Sequence, residues 1–258
     1  AAGIAGAAIA SSVSEAVSLL FFIIYTSMTA DKRKYGFRRA FTLRPHLLKG
    51  MLSISGWTMV QSFISVSIWF IFFLAIEHLG ERPLAVTNIV RNISALLIMV
   101  ISAFATTAGA LISNQIGAGE QRCLFKTCGM TLKLTYAILI PLLIILCLFP
   151  ESVLRAFTDS PSLIAASVNS VYVMASSTLI MAPSFILFNA VSGTGNTRAG
   201  FIMEMISLAV YTAVIYYGII RLKPDVALCW FSEHVYGVTL IFLAWWYLKS
   251  GKWRGKKV

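Results

Sequence analysis

Charge is scarce in this chain. Asp, Glu, Lys and Arg make up 12% of its 258 residues, against 58% hydrophobic residues. A soluble domain carries about 25% charged residues, because water must solvate its surface. The shortage of charge therefore excludes an ordinary soluble fold and indicates that much of the surface faces lipid.

The common signatures of an enzyme are also missing. The sequence has no HExxH, no GxSxG and no phosphate-binding loop with its lysine. Three histidines, His46, His78 and His234, are scattered along the chain, and the four cysteines lack CxxC or Cys/His spacing. We therefore predict neither an enzyme nor a resident metal or cofactor, and we interpret the cysteines as reduced packing residues.

What the sequence does have is long apolar runs. A helix needs about 20 apolar residues to cross the bilayer, and seven runs reach that length. A β-barrel would show short alternating segments, whereas these runs are apolar at odd and even positions alike. We predict an all-α membrane protein, a bundle of about seven transmembrane helices, with approximate limits Ile4 to Met28, Met51 to Ile76, Leu84 to Gln115, Leu124 to Leu148, Leu163 to Val191, Phe201 to Ile220 and Val226 to Leu248.

The net charge of +11 is distributed unevenly over the connections between the runs. One alternate set carries most of the basic residues: Lys32, Arg33, Lys34, Arg38, Arg39, Arg44, Lys49, Arg122, Lys126, Lys133, Arg198, Lys249, Lys252, Arg254, Lys256 and Lys257. Because basic loops stay in the cytoplasm, we predict that this set and the carboxyl terminus are cytoplasmic. We interpret the cluster around Arg38 as an orientation signal, in preference to a nucleic-acid or lipid-headgroup patch.

Four ionisable residues lie well inside the apolar runs: Glu15, Arg91, Glu204 and Glu233. Such residues are costly in lipid unless they face a bundle interior or a water-filled path. A carboxyl group can take up and release a proton, so the three glutamates are candidates for coupling transport to a cation. Glu204 is the leading candidate. The alternative is that each glutamate bonds a polar neighbour and holds helices together.

Uncharged polar residues and a proline in the runs suggest a cavity and a bend. Asn88, Arg91 and Asn92 share one face of the third run and are candidates for cavity or gate residues. Pro183 frees a backbone carbonyl in the fifth run, which predicts either a hinge or a static kink. Further candidates for the cavity wall are Gln61, Ser65 and Asn189.

The first and last runs contain a short echo, Ser14-Glu15-Ala16-Val17 against Ser232-Glu233-His234-Val235. It is explained either by two like-oriented repeats or by chance in sequences of biased composition. The chain also starts without an initiator Met, in a small-residue segment. We therefore expect it to be a fragment or the later part of a longer transporter.

Two strings at the ends of runs resemble signatures of the multidrug and toxic compound extrusion (MATE) family. They are ALISNQIGAGE at 110–120 and AVSGTGNTR at 190–198. The resemblance implies a transporter of two six-helix bundles with alternating access. Such a protein exports amphipathic, often cationic compounds in exchange for protons or sodium ions.

The resemblance also implies a division of the chain. Residues 1–30 would be the last helix of an amino-terminal lobe and 31–50 a basic cytoplasmic linker. Residues 51–248 would form the carboxyl-terminal six-helix bundle, and 249–258 a basic cytoplasmic tail. We expect a missing amino-terminal lobe, a monomer when complete, a small organic substrate, a place in the cell membrane and no nucleic-acid partner.

The sequence departs from the family pattern at two positions. Many relatives carry acids near Ser65 and Met181, and neither position is acidic here. Cation coupling would then rest on Glu204, on Glu15 or on the other lobe. Competing hypotheses are a flippase for a lipid-linked oligosaccharide, for which Arg91 is the only basic cavity residue seen, and, more remotely, an intramembrane enzyme or a non-transporting scaffold.

Overall fold

The computed structural model describes residues 3–29, 45–251 and 253, and the regular structure of these residues is helical. A short 3₁₀ turn, Gln121–Cys123, precedes α4, and a π-helical turn, Ile215–Arg221, extends α7. The helices are α1 (Gly3–Thr29), α2 (Pro45–Glu77), α3 (Glu81–Gly117), α4 (Leu124–Leu148), α5 (Pro150–Leu154), α6 (Pro161–Gly193), α7 (Thr197–Val214), α8 (Val226–Cys229) and α9 (Ser232–Ser250).

Within the described ranges, seven helical stretches are long and apolar enough to cross a membrane. They are Ala8–Thr29, Leu48–Glu77, Glu81–Gly117, Gln121–Leu148, Pro161–Gly193, Thr197–Arg221 and Val226–Ser250. Each overlaps one of the seven predicted runs. The all-α membrane fold is thereby confirmed, with helices that extend several residues beyond some of the predicted limits.

The chain divides into two compact units between Met51 and Leu52. The first unit contains α1. In the second unit α6 is central, because it packs against α3, α4, α7 and α9. Small and hydroxyl side chains on α6 allow these close approaches, and hydroxyls such as those of Ser167 and Thr178 donate to carbonyls one turn earlier in the same helix.

Two glycines mark the closest contact between α3 and α6. A Cβ built on Gly193 would lie 2.5 Å from the carbonyl oxygen of Gly109, and one built on Gly109 would lie 2.9 Å from that of Asn189. Only glycine lets the two backbones approach so closely. This crossing sets the spacing between the two helices at one end of α6.

An aromatic and aliphatic cluster joins α2 to α7. Phe72 and Ile76 of α2 are fully buried and pack with Tyr211, Ile215 and the other members of the cluster on the extended α7. The packing fixes the register of α2 against α7. It thereby determines which α2 side chains, one or two turns before Phe72, face the inside of the unit.

We predict that Gly193→Ala destabilises the protein by about 1–3 kcal/mol, because the added methyl group overpacks a backbone contact. The measurement is the thermal unfolding of the full-length protein in detergent. Gly129→Ala is the matched control, since nothing lies within 4 Å of a Cβ at that position on α4. Equal melting temperatures for Gly193→Ala and wild type would contradict the close crossing.

Candidate functional site

A cavity of about 250 Å³ lies among α2, α3, α6, α7 and α9. Its polar lining consists of Ser65, Glu204, Tyr211, Glu233 and Tyr236. Its apolar lining consists of Val66, Trp69, Ile98, Met181, Phe185 and Leu208. Two of the ionisable residues in the apolar runs, Glu204 and Glu233, thus share one space.

Glu204 lies on the buried face of α7, and only 4% of its surface is exposed. Its Oε1 atom accepts a hydrogen bond of 2.8 Å from the Ser65 hydroxyl and one of 2.9 Å from the Tyr236 hydroxyl. Its Oε2 atom is buried and has no partner among the described residues. A buried carboxylate oxygen left in this way is costly, so the free oxygen is where a proton or a cation would be held.

Glu233 lies in the first turn of α9 and accepts a hydrogen bond of 2.7 Å from the Tyr211 hydroxyl. The Tyr211 ring meets the Tyr236 ring edge to face, with 5.8 Å between the centroids. Each tyrosine therefore donates a hydrogen bond to one glutamate, while its ring contacts the ring of the other tyrosine. The helical spacing of Glu204 and Tyr211, seven residues apart, puts both on the same face of α7.

The described lining of this cavity contains carboxyl groups but no basic side chain. Neither Lys, Arg nor His occurs among the described residues that line it. A carboxylate surrounded by Trp69, Phe185 and Leu208 loses most of its hydration, and an ionised form is unfavourable without a compensating positive charge. The arrangement is therefore suited to binding protons, inorganic cations or an organic cation.

A family comparison assigns the sequence to a known group. The MatE family model matches residues 58–217, which is more than half of the chain. The chain belongs to the MatE family. The matched residues include Ser65, Glu204 and Tyr211 of the cavity lining.

Solved structures of MATE and related transporters have the same fold as this MatE chain. The Vibrio cholerae MATE transporter VcmN in its bent form matches with a TM-score of 0.72 and 15% identity, over 81% of this chain and 48% of its own. An outward-facing multidrug resistance MATE transporter of the MOP superfamily has a TM-score of 0.70 at 14% identity, over 79% of this chain and 46% of its own.

A third match is a MOP superfamily transporter from Pyrococcus furiosus, with a TM-score of 0.68, 14% identity and coverage of 77% of this chain and 44% of its own. That transporter is described as having a binding pocket of reverse polarity, which suggests a different function for it. The MatE chain spans somewhat less than half the length of these transporters. A search of curated proteins found no match.

Three of the sequence-predicted residues come together in the MatE chain: Glu204, Glu233 and Ser65 line the same cavity. The Asn88, Arg91 and Asn92 face lies elsewhere on α3. Arg91 stacks over the Phe73 ring at 5.4 Å, and Asn88 donates to the Leu84 carbonyl at 3.0 Å. Their roles as cavity or gate residues stay predictions.

The remaining candidates are separate from the cavity lining. Gln61 is half-buried on α2, and Asn189 donates to the Phe185 carbonyl oxygen at 2.9 Å. Pro183 lies inside α6, which continues as one helix from Pro161 to Gly193. Glu15 lies on α1, in the first unit. Whether these residues act in transport stays a prediction.

Tyr236, Trp69 and Phe185 complete the site, and sequence reasoning missed Tyr236 and Phe185. Tyr236 follows Glu233 by three residues and Trp69 follows Ser65 by four, so helical spacing contained a signal for both. The sequence alone favours the interfacial belt for Trp69, with substrate stacking as the second interpretation. Its place in the wall depends on the packing of α2 against α7.

We predict that the double variant Ser65→Ala/Tyr236→Phe destabilises the protein by about 1–3 kcal/mol, because both hydrogen bonds to Glu204 are lost. Adding Glu204→Leu to this background should recover stability, since no carboxyl group is then left without donors. Thermal unfolding in detergent measures both steps. A further loss of stability in the triple variant would contradict the proposed dependence of Glu204 on its two donors.

Proposed function

We propose that the full-length protein is a secondary active transporter that exports amphipathic organic cations in exchange for protons or sodium ions, with Glu204 as the coupling carboxyl. The observation that carries the proposal is the buried Glu204 Oε2 atom without a partner in a cavity whose described lining has no basic residue. Membership of a family of transporters supports the class of activity.

The physical basis of exchange is competition for the same negative charge. With Glu204 ionised, the cavity favours a cation; with Glu204 carrying a proton or a sodium ion, that attraction is lost. A substrate and a coupling ion therefore displace each other, which is the differential affinity that an exchange cycle needs. Alternating access would expose the cavity to one side of the membrane at a time.

The side chains of the cavity wall are suited to an amphipathic organic cation. Trp69, Tyr211 and Tyr236 offer aromatic rings that attract cations through their π faces, and Phe185 and Leu208 offer apolar surface. A pyrophosphate-linked substrate would instead require basic groups. This argument favours the exporter over the flippase, although both are transporters of the same superfamily.

The whole transporter would contain more than this chain. We propose that an amino-terminal lobe completes the cavity path, that the complete protein is a monomer, and that it lies in the cell membrane with its carboxyl terminus in the cytoplasm. The basic connections support that orientation. Residues 31–44 of the basic linker and most of the tail lie outside the described residues, and α2 begins at Pro45.

The test is efflux of a cationic dye from liposomes that contain the full-length protein, under an imposed pH or sodium gradient. We expect Glu204→Gln to abolish gradient-driven efflux while expression and folding stay normal, because the amide keeps an acceptor for Ser65 and Tyr236 but binds no proton. Glu151→Gln is the control, since Glu151 is exposed on α5.

Normal gradient-driven efflux by Glu204→Gln would remove Glu204 from the coupling step. Wild-type protein that is folded but shows no gradient-dependent flux would count against the exporter. Movement of a fluorescent lipid-linked saccharide under the same conditions, without dye efflux, would favour the flippase.

A further inference from the structure

We propose that Glu233 is a second proton-binding carboxyl of the same cavity, so that this lobe takes up two protons, one on Glu233 and one on Glu204. The inference rests on the coupling role proposed for Glu204 and adds a second, separately bonded acid to it. It does not require a contact between the two carboxyl groups.

The two glutamates have matching surroundings from different helices. Glu204 of α7 accepts from Tyr236 of α9, and Glu233 of α9 accepts from Tyr211 of α7. Each helix thus supplies the tyrosine that donates a hydrogen bond to the glutamate of the other helix. A tyrosine hydroxyl can donate to a carboxyl group in either protonation state, so each glutamate stays oriented while its proton binds and leaves.

Among the described residues that line the cavity, none is a base that could compensate the charge of Glu233. From α2, α3 and α6 the described cavity lining is Ser65, Val66, Trp69, Ile98, Met181 and Phe185, none of which titrates in the physiological range. From α7 the titratable groups are Glu204 and Tyr211, and from α9 Tyr236.

Two ionisable residues near Glu233 in the sequence, His234 and Cys229, contact other groups. The Nε2 atom of His234 makes a 3.0 Å hydrogen bond with Ser176, and the ring stacks on Phe231 with 4.8 Å between centroids. Its Nδ1 atom has no side-chain or backbone partner among the described residues, and His234 does not line the cavity. Cys229 is buried in the cluster of Phe72 and Tyr211, and a thiol adds no positive charge. Arg91 is stacked over Phe73 and does not line the cavity.

Two carboxylates in one poorly hydrated space repel each other, and binding of the first proton relieves part of that repulsion. The hydrogen bond from the Tyr211 hydroxyl works in the opposite direction, because a donated hydrogen bond stabilises the ionised form of Glu233. Glu233 therefore has one interaction that favours proton binding and one that favours proton release. An organic cation of charge +1 would neutralise only one of the two carboxylates.

The experiment is infrared difference spectroscopy of the full-length protein in lipid between mildly acidic and mildly alkaline pH. A protonated carboxyl group gives a carbonyl stretching band that disappears when the proton leaves. We expect Glu233→Gln to delete one such pH-dependent band and Glu204→Gln to delete another. Glu151→Gln, which changes an exposed acid outside the cavity, should leave both bands in place.

The tyrosines provide a second test in which both carboxyl groups remain. A donated hydrogen bond lowers the stretching frequency of a carboxyl carbonyl. Tyr211→Phe should therefore raise the frequency of the Glu233 band alone, and Tyr236→Phe that of the Glu204 band alone. The shift in Tyr211→Phe would not occur if Glu233 served only to join α7 and α9, with its charge unchanged.

A Glu233→Gln spectrum that superimposes on that of wild type would overturn the second proton site, as would a Tyr211→Phe spectrum with no shift. Either result would leave the role of Glu204 standing, since that role is tested by dye efflux with a different variant. Failure of gradient-driven efflux, in contrast, would remove the proposed function whatever the spectra show.

Discussion

The hydrogen bonds from tyrosine and serine to buried carboxyl groups are the interactions on which the candidate site depends. Glu204 is 4% exposed and is held by Ser65 and Tyr236, while Glu233 is held by Tyr211. A carboxyl group in an apolar bundle is tolerated only with such partners or with access to water. The cavity gives the two carboxyl groups access to water, and its aromatic walls limit how much water can reach them.

The frame around the cavity depends on close packing at α6. The crossing at Gly109 and Gly193 sets the spacing of α3 and α6, and Phe72 sets the register of α2 against α7. The hydroxyls of Ser167 and Thr178 on α6 bond to carbonyls of their own helix, so these two side chains need no partner across the interface. The cavity is lined by α3 and α6, which cross closely, and by α7 and α9, which carry the hydrogen-bonded glutamates.

The position of the acids distinguishes this chain from the family pattern implied by its resemblance. That pattern has acids near Ser65 and Met181, and both positions line the cavity described here. The acids come instead from α7 and α9, and Ser65 donates a hydrogen bond to one of them. Carboxyl groups are thus present in the same space although the helices that supply them differ. This arrangement gives the proposed coupling a structural basis without the usual acids.

The sequence by itself determined the all-α membrane fold, the seven spans and the family, because apolar runs and helix-end motifs are local in the chain. It also selected Glu204, Glu233 and Ser65, since polar residues in lipid are costly wherever they occur. Only the tertiary structure decided that these three share a cavity with Tyr236 and that the Arg91 face lies elsewhere. Helical spacing gives the face of a side chain, but the rotation of each helix against its neighbours depends on packing between distant residues.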